Sequence, residues 1–324
     1  MNLISASKQL IFPEASKPTA NCHASTLVVM PDGSVISAWF GGTKEGDQDV
    51  DIWGAIRMDR DWSAPFRMAG EAGIPHWNPV LFADAEGIVH LYYKVGHTVE
   101  EWVTRVCTSR DGGRTWSESV ELVAGDRSGG RGPVKNKLIM LQDGMLAAPA
   151  SIETEEIWDA FVDLSSDGGR CWKRSQVVPI AHSALKGKGI IQPTLWESTP
   201  GHVHMLLRST EGSIYRSDSS DGGSTWSEAY ATPYPNNNSG IDLVRLSDAS
   251  LVLVHNPVPG NWASRSPLVV SLSADNGVNW REMLTLEGDP GEYSYPAIVA
   301  QRNRLFITYT WNRVQIAFWE LILE

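Results

Sequence analysis

The octapeptide SRDGGRTW, Ser109 to Trp116, returns as SSDGGRCW at 165–172, SSDGGSTW at 219–226 and SADNGVNW at 273–280. The copies lie about 54 residues apart and keep a whole eight-residue pattern in phase, so the chain is built from repeated units. Within each copy the residue types suit a tight turn: Asp and Ser side chains accept backbone N–H bonds, and Gly takes a positive φ at little cost. The Trp follows as a large apolar plug. A degenerate fifth copy, MDRDWS, places Trp62 another 54 residues before Trp116.

The period divides the 324 residues into six units with no linker left over, so a single domain over 1–324 is expected. Apolar residues make up 42% of the chain and Trp occurs 14 times, ample for a packed core. Between the boxes, runs such as STLVVMPDGSVISAWF and PAIVAQRNRLFITYTW read as antiparallel hairpins, with Asp32-Gly33 and Asp143-Gly144 in turns. A second strand pair follows in each unit, with the box on its connection. Four strands per unit and six units predict an all-β, six-bladed β-propeller with Asp-box repeats. The segment around Lys8 to Phe12 is expected to close the ring as a strand of the last blade.

The formal charge of −11 disfavours nucleic acid and anionic membranes as partners. Three cysteines at non-motif spacings fit reduced thiols, and no signal peptide or apolar span of about 18 residues is seen, so a cytoplasmic location is expected. The eight histidines show no metal-ligand spacing, and there is no phosphate loop. No metal or cofactor is expected. Oligomeric state is not legible.

In a propeller, starts of the inner strands and ends of the second strands converge on one rim of the central channel. The starts place His23, Trp77, Asn78, Lys135, Lys137, Gln192, Asn238, Asp242, Tyr293 and Tyr295 there. The ends add Lys44, Glu45, Lys94, Glu153, Arg208, Asn256 and Trp311, with Arg265 nearby. Cations, amides and aromatic rings gathered in an acidic protein suit an anionic carbohydrate: cations for carboxylate, amides for hydroxyls, aromatics for ring faces.

The boxes, their spacing and these landmark segments resemble the sialidase superfamily, most closely its BNR-repeat branch. The resemblance implies a carboxylate clamp in which Arg208 and Arg265 correspond to two of three arginines, while His23, in Cys22-His23-Ala24-Ser25, stands where the first would lie. It implies a nucleophilic tyrosine within Glu292-Tyr293-Ser294-Tyr295, taken as Tyr293, and an acid/base carboxylate among Glu45, Asp47 and Asp49. The glutamate that would activate the tyrosine falls near Gly189 to Gln192, where this chain has no carboxylate; Glu153 or Glu292 is available for that role.

Three functions stay open. A retaining glycosidase would use tyrosine as a nucleophile, since a carboxylate would be repelled by the substrate's own acid group. A polysaccharide lyase would use His23 or Tyr293 to remove the proton α to a uronate carboxylate, with Arg or Lys stabilising the enolate-like state. A propeller that only binds glycans would show affinity without turnover.

Overall fold

The computed structural model describes residues 2–324. Six antiparallel sheets follow one another around a central channel. Blade 1 comprises Asn21–Val29, Val35–Gly42, Asp51–Met58 and Asp61–Trp62, with Phe66–Ala69 also paired to its third strand. Blade 2 is His76–Ala83, Val89–Val95, Val103–Ser109 and Val120–Glu121, and blade 3 is Ile139–Met140, Leu146–Glu153, Trp158–Ser165 and Lys173–Arg174. Blade 4 is Ile190–Thr199, His202–Ser209, Ser213–Ser219 and Tyr230–Pro235, and blade 5 is Asp242–Arg245, Leu251–His255, Leu268–Ser273 and Arg281–Glu287. Blade 6 joins Tyr293–Gln301, Arg304–Trp311 and Gln315–Leu323 to the N-terminal strand Leu3–Leu10. The closing strand therefore begins before the expected Lys8–Phe12 segment; Ile11 and Phe12 lie beyond it, buried against Trp39 and its neighbours.

The boxes connect third to fourth strands and work as the residue types require. In the first, Asp111 Oδ1 accepts from the backbone N–H of Arg114 and Thr115 at 3.0 and 2.9 Å, and Ser109 Oγ accepts from Gly113 N–H at 2.9 Å. Trp116 Nε1 donates to Gly113 O at 3.1 Å. In the last copy Asn276 replaces the first glycine at φ 58°, a left-handed position that Asn tolerates. The core fills the spaces between blades, with Trp39 and Trp196 among its largest fully buried side chains.

The other end of the molecule is organised by bulges. Ladder register slips after His23, Trp77, Ile191 and Ser294, on the inner strands of four blades. The next residue in each, Ala24, Asn78, Gln192 and Tyr295, has φ between 42° and 55°. Such a bulge re-aims a side chain out of the ladder, and here it brings Gln192 and Tyr295 onto Arg208. Proline follows in three of them, Asn78-Pro79, Gln192-Pro193 and Tyr295-Pro296.

Candidate active site

The bulges decide which tyrosine enters the funnel. Tyr295 holds the bulge position, and its hydroxyl accepts from Arg208 Nη1 at 2.7 Å. Tyr293, two residues earlier, packs into the apolar cluster between blades 5 and 6, its ring 6.5 Å from that of Trp311. The period of two along a strand is broken by the bulge between them, so the two rings do not share an environment. Both tyrosines were expected at the rim, with Tyr293 as the nucleophile; the structure turns Tyr295 onto Arg208 in the funnel and Tyr293 into the apolar cluster.

Arg208, 2% exposed, is held on all sides. Its Nε donates to Asn238 Oδ1 at 2.9 Å and its Nη1 to Gln192 Oε1 at 3.1 Å. The indoles of Trp158 and Trp262 lie 5.5 and 5.7 Å from its guanidinium carbon. Arg265 Nη1 donates to Glu292 Oε1 at 2.8 Å and to Ser294 Oγ at 3.1 Å, and its guanidinium lies 5.8 Å from the Tyr295 ring. Asn256 fixes the Arg265 loop, its Nδ2 donating to the carbonyls of Arg265, Pro267 and Tyr293 at 2.9, 2.8 and 3.1 Å.

A third guanidinium arrives from blade 6. Arg313 follows Asn312 at the centre of the turn from Trp311 to Val314, both residues at positive φ (51° and 56°), where a turn of this kind favours glycine second. The Arg313 carbonyl accepts from Cys22 N–H at 2.8 Å, which brings the turn beside His23. Arg313 Nε donates to Glu292 Oε1 at 2.7 Å and Nη1 to Glu45 Oε2 at 2.5 Å. Burial opposes its charge, but Glu45 and Glu292 outweigh that and raise its pKa further. One oxygen of Glu292 thus aligns two arginines. Sequence reasoning missed Arg313, Trp158 and Trp262; an arginine where a hairpin turn favours glycine was the available signal for the first.

His23 is 1% exposed, with its ring 4.3 Å from that of Tyr295 and edge-on to Phe40 at 5.6 Å. Burial, then the charges of Arg313, Arg265, Arg208 and Lys135, hold its pKa well below the usual histidine value, so the imidazole is neutral. Its Nδ1 is buried with no hydrogen-bond partner. Glu153 is half-buried, with its Oε1 enclosed and unpartnered: desolvation raises its carboxyl pKa against the opposing pull of Arg208, Gln192 and Lys94.

Several expected funnel cations are committed elsewhere. Lys135 Nζ donates to Asn136 Oδ1 at 2.8 Å, Ile241 O at 3.0 Å and Pro296 O, using all three N–H bonds as a floor between blades. Lys137 Nζ pairs with both Asp242 oxygens at 2.9 Å, while Asp242 also accepts from Thr194 Oγ1 and Ile298 N–H. Lys94 is wholly buried on Thr104 Oγ1 and Arg131 O at 2.7 and 2.6 Å, and burial brings its pKa down to about 7. These four side chains knit the channel; they do not line its open mouth.

On the rim loop of blade 1, Asp49 accepts from Thr43 N–H and Oγ1 and closes the loop on itself, which lowers its pKa. Glu45 is tied to Arg313, while Lys44 and Asp47 are exposed. Trp77 packs against Trp102 and Phe40, its Nε1 donating to Gly96 O at 2.9 Å, and it reaches the same loop beneath Gly46. Asn78 is buried at its bulge. Among the described residues, no group of three or more His, Cys, Asp or Glu side chains is placed to hold a metal ion.

Comparison with solved structures places this architecture among sialidases and their relatives. A Hadza microbial sialidase superimposes with a TM-score of 0.81 at 17% identity, over 98% of this chain and 68% of that one. The Trypanosoma rangeli sialidase in complex with the inhibitor DANA gives 0.78 at 13% identity, over 98% and 60%. A Dyadobacter fermentans protein of unknown function gives 0.78 at 16%, over 99% and 100%. At such identities the likeness is one of fold. No curated protein shows significant sequence similarity to the chain. The family model for the BNR repeat-like domain matches residues 33–307. With the boxes, the six blades and most of its length in agreement, the chain belongs to the BNR repeat-like domain family.

Proposed function

We propose that the chain is a glycoside hydrolase that binds a carboxylated sugar, of sialic-acid or uronate type, in the funnel and cleaves it with retention through Tyr295. The supporting observation is the convergence of guanidiniums from blades 4, 5 and 6: Arg208 and Arg265 lie against Tyr295, and Arg313 shares Glu292 Oε1 with Arg265. Such a cluster suits a carboxylate, and a neutral phenol avoids the repulsion that a carboxylate nucleophile would meet there. Tyr295 attacks the anomeric carbon, with the Arg208 N–H steadying charge on its oxygen and neutral His23 beside it as base. Of the three loop carboxylates, Glu45 is engaged by Arg313 and Asp49 by Thr43, which leaves Asp47 to protonate the leaving oxygen. Water then releases the sugar from tyrosine.

The unpartnered Nδ1 of His23 favours a second reading, in which His23 removes the proton α to a uronate carboxylate and the arginines hold the enolate-like state. Digestion of sialosides and uronate oligosaccharides in isotope-labelled water separates the two. A saturated sugar carrying one labelled oxygen supports hydrolysis. An unlabelled product with a ring double bond, absorbing in the near ultraviolet, replaces it with elimination; tight binding without product removes both.

A further inference from the structure

Far from the funnel, blade 4 carries a second set of reactive groups. Trp196 faces His204 and His204 faces Asp218 across adjacent strands. His204 Nδ1 lies 2.5 Å from Asp218 Oδ1, and its Nε2 lies 2.8 Å from Ser198 Oγ. The short contact to the carboxylate places the ring proton on Nδ1 and leaves the Nε2 lone pair for the serine hydroxyl. The imidazole is stacked on Trp196 with ring centroids 5.0 Å apart, which fixes its plane. Arg216 Nη2 and Asn276 Nδ2 also touch it, at 3.2 and 3.3 Å, both farther than Asp218 and Ser198. Burial tends to raise the Asp218 pKa, but His204 and Arg216 outweigh it and hold it at about 2, so the group is a carboxylate at neutral pH.

Ser198 is accessible. It lies where the ladder register slips between Glu197 and Thr199, and its other acceptor, His202 O, is 3.5 Å away. It lines a cavity of about 460 Å³ shared with Leu195, Pro200, Val244 and Arg245. Arg245 Nη2 donates to the Ser198 carbonyl at 3.3 Å, so a cation shares the cavity lining with Ser198. Six residues of strand, about 20 Å, separate this place from Gln192 in the funnel.

We propose that Ser198, His204 and Asp218 form a second catalytic site that hydrolyses small carboxylic esters. Ser198 Oγ attacks the ester carbonyl carbon and gives its proton to His204 Nε2; collapse breaks the ester C–O bond, and the departing alcohol takes that proton. Water repeats the sequence on the acyl-serine, releasing the acid and restoring the hydroxyl. Asp218 holds the tautomer, and Arg245 faces the oxyanion that develops between the two steps.

The test is reaction of the whole protein with a fluorophosphonate probe, read by peptide mass, alongside turnover of p-nitrophenyl acetate. One phosphonyl adduct is expected on the peptide carrying Ser198, together with ester turnover; both vanish in Ser198→Ala. In His204→Gln, labelling slows by about a hundredfold or more. Because His204 also contacts blade 5 through Asn276, the parent protein is labelled again after urea unfolding, where an activated serine loses its reactivity and a merely exposed one keeps it. No adduct at Ser198 in the folded parent, an equal labelling rate in His204→Gln, or undiminished labelling in urea overturns the proposal.

Discussion

Tyr293 and Tyr295 differ by two positions and by everything that matters chemically. One ring is walled by apolar side chains and Trp311, while the other offers its hydroxyl to Arg208 and its face to His23 and Arg265. Tyr295→Phe removes the oxygen that the proposed reaction uses and is expected to lower kcat by about 10²–10⁴-fold with the clamp intact. Tyr293→Phe should turn over at close to the parent rate; the reverse ranking in a steady-state assay would return the role to Tyr293. In the proposed clamp Arg313 is the third cation, its turn lying beside His23 through the Cys22 N–H bond to Arg313 O. Arg313→Ala should weaken binding of an acidic sugar by about 1.5–3 kcal/mol, and Arg313→Lys should restore only part, because a lysine lacks the planar fork that reaches Glu45 and Glu292 together. Isothermal calorimetry reads both, and parent affinity in Arg313→Ala would exclude it from the clamp.

At the scale of the element, boxes and bulges divide the work, and only one of them announces itself in a single sequence. A box depends on contacts within eight consecutive residues, so its pattern was legible and fixed blade number and strand order together. A bulge is a relation between two strands, and its effect on Tyr295 becomes visible only when the chain is paired with Arg304–Trp311. The motif Tyr295-Pro296, repeating Asn78-Pro79 and Gln192-Pro193, carried that information in weaker form. Lys135 and Lys137 misled for a related reason: they precede the short strand Ile139–Met140 instead of starting an inner strand, and their partners Asp242, Ile241 and Pro296 come from other blades. The boxes also make a pH prediction. Hydrogen bonds from Cys171 and Ser165 bring the Asp167 pKa down to about 2, and those from Asn279 and Ser273 bring Asp275 to about 2. Since the folded value lies below the unfolded one of about 3.9, this stabilisation is fully present above that value and is lost as pH falls toward about 2. Denaturation midpoints of the parent and Asp167→Ala should therefore differ at about pH 5 and converge near about pH 2. A gap that stays constant across this window would mean that the box carboxylate does not act through its charge.

For the whole molecule the weak point of a ring is where its two ends meet. Leu3–Leu10 pairs along Gln315–Leu323, Lys8 forms an ion pair with Glu287 of blade 5, and Asn2 and Glu324 exchange backbone hydrogen bonds. Without this strand, Gln315–Leu323 would become an open edge, a template for pairing with another chain. The same seam reaches the funnel: Cys22 N–H donates to Arg313 O, and Ala24 N–H donates to Thr310 Oγ1 at 3.1 Å, so blades 1 and 6 hold His23, Tyr295 and Arg313 in register. Deleting residues 1–10 is thus expected to lower the thermal midpoint, to promote self-association and to weaken acidic-sugar binding, although none of the deleted residues belongs to the clamp. A synthetic peptide of the deleted sequence should restore all three by adding itself as the missing strand. Differential scanning calorimetry, light scattering and ligand titration of the truncated protein, with and without the peptide, measure this directly. A truncated protein that melts with the parent and self-associates no more than the parent does would show that the ring holds without its closing strand; one that melts lower but binds unchanged would show that the seam and the funnel are independent.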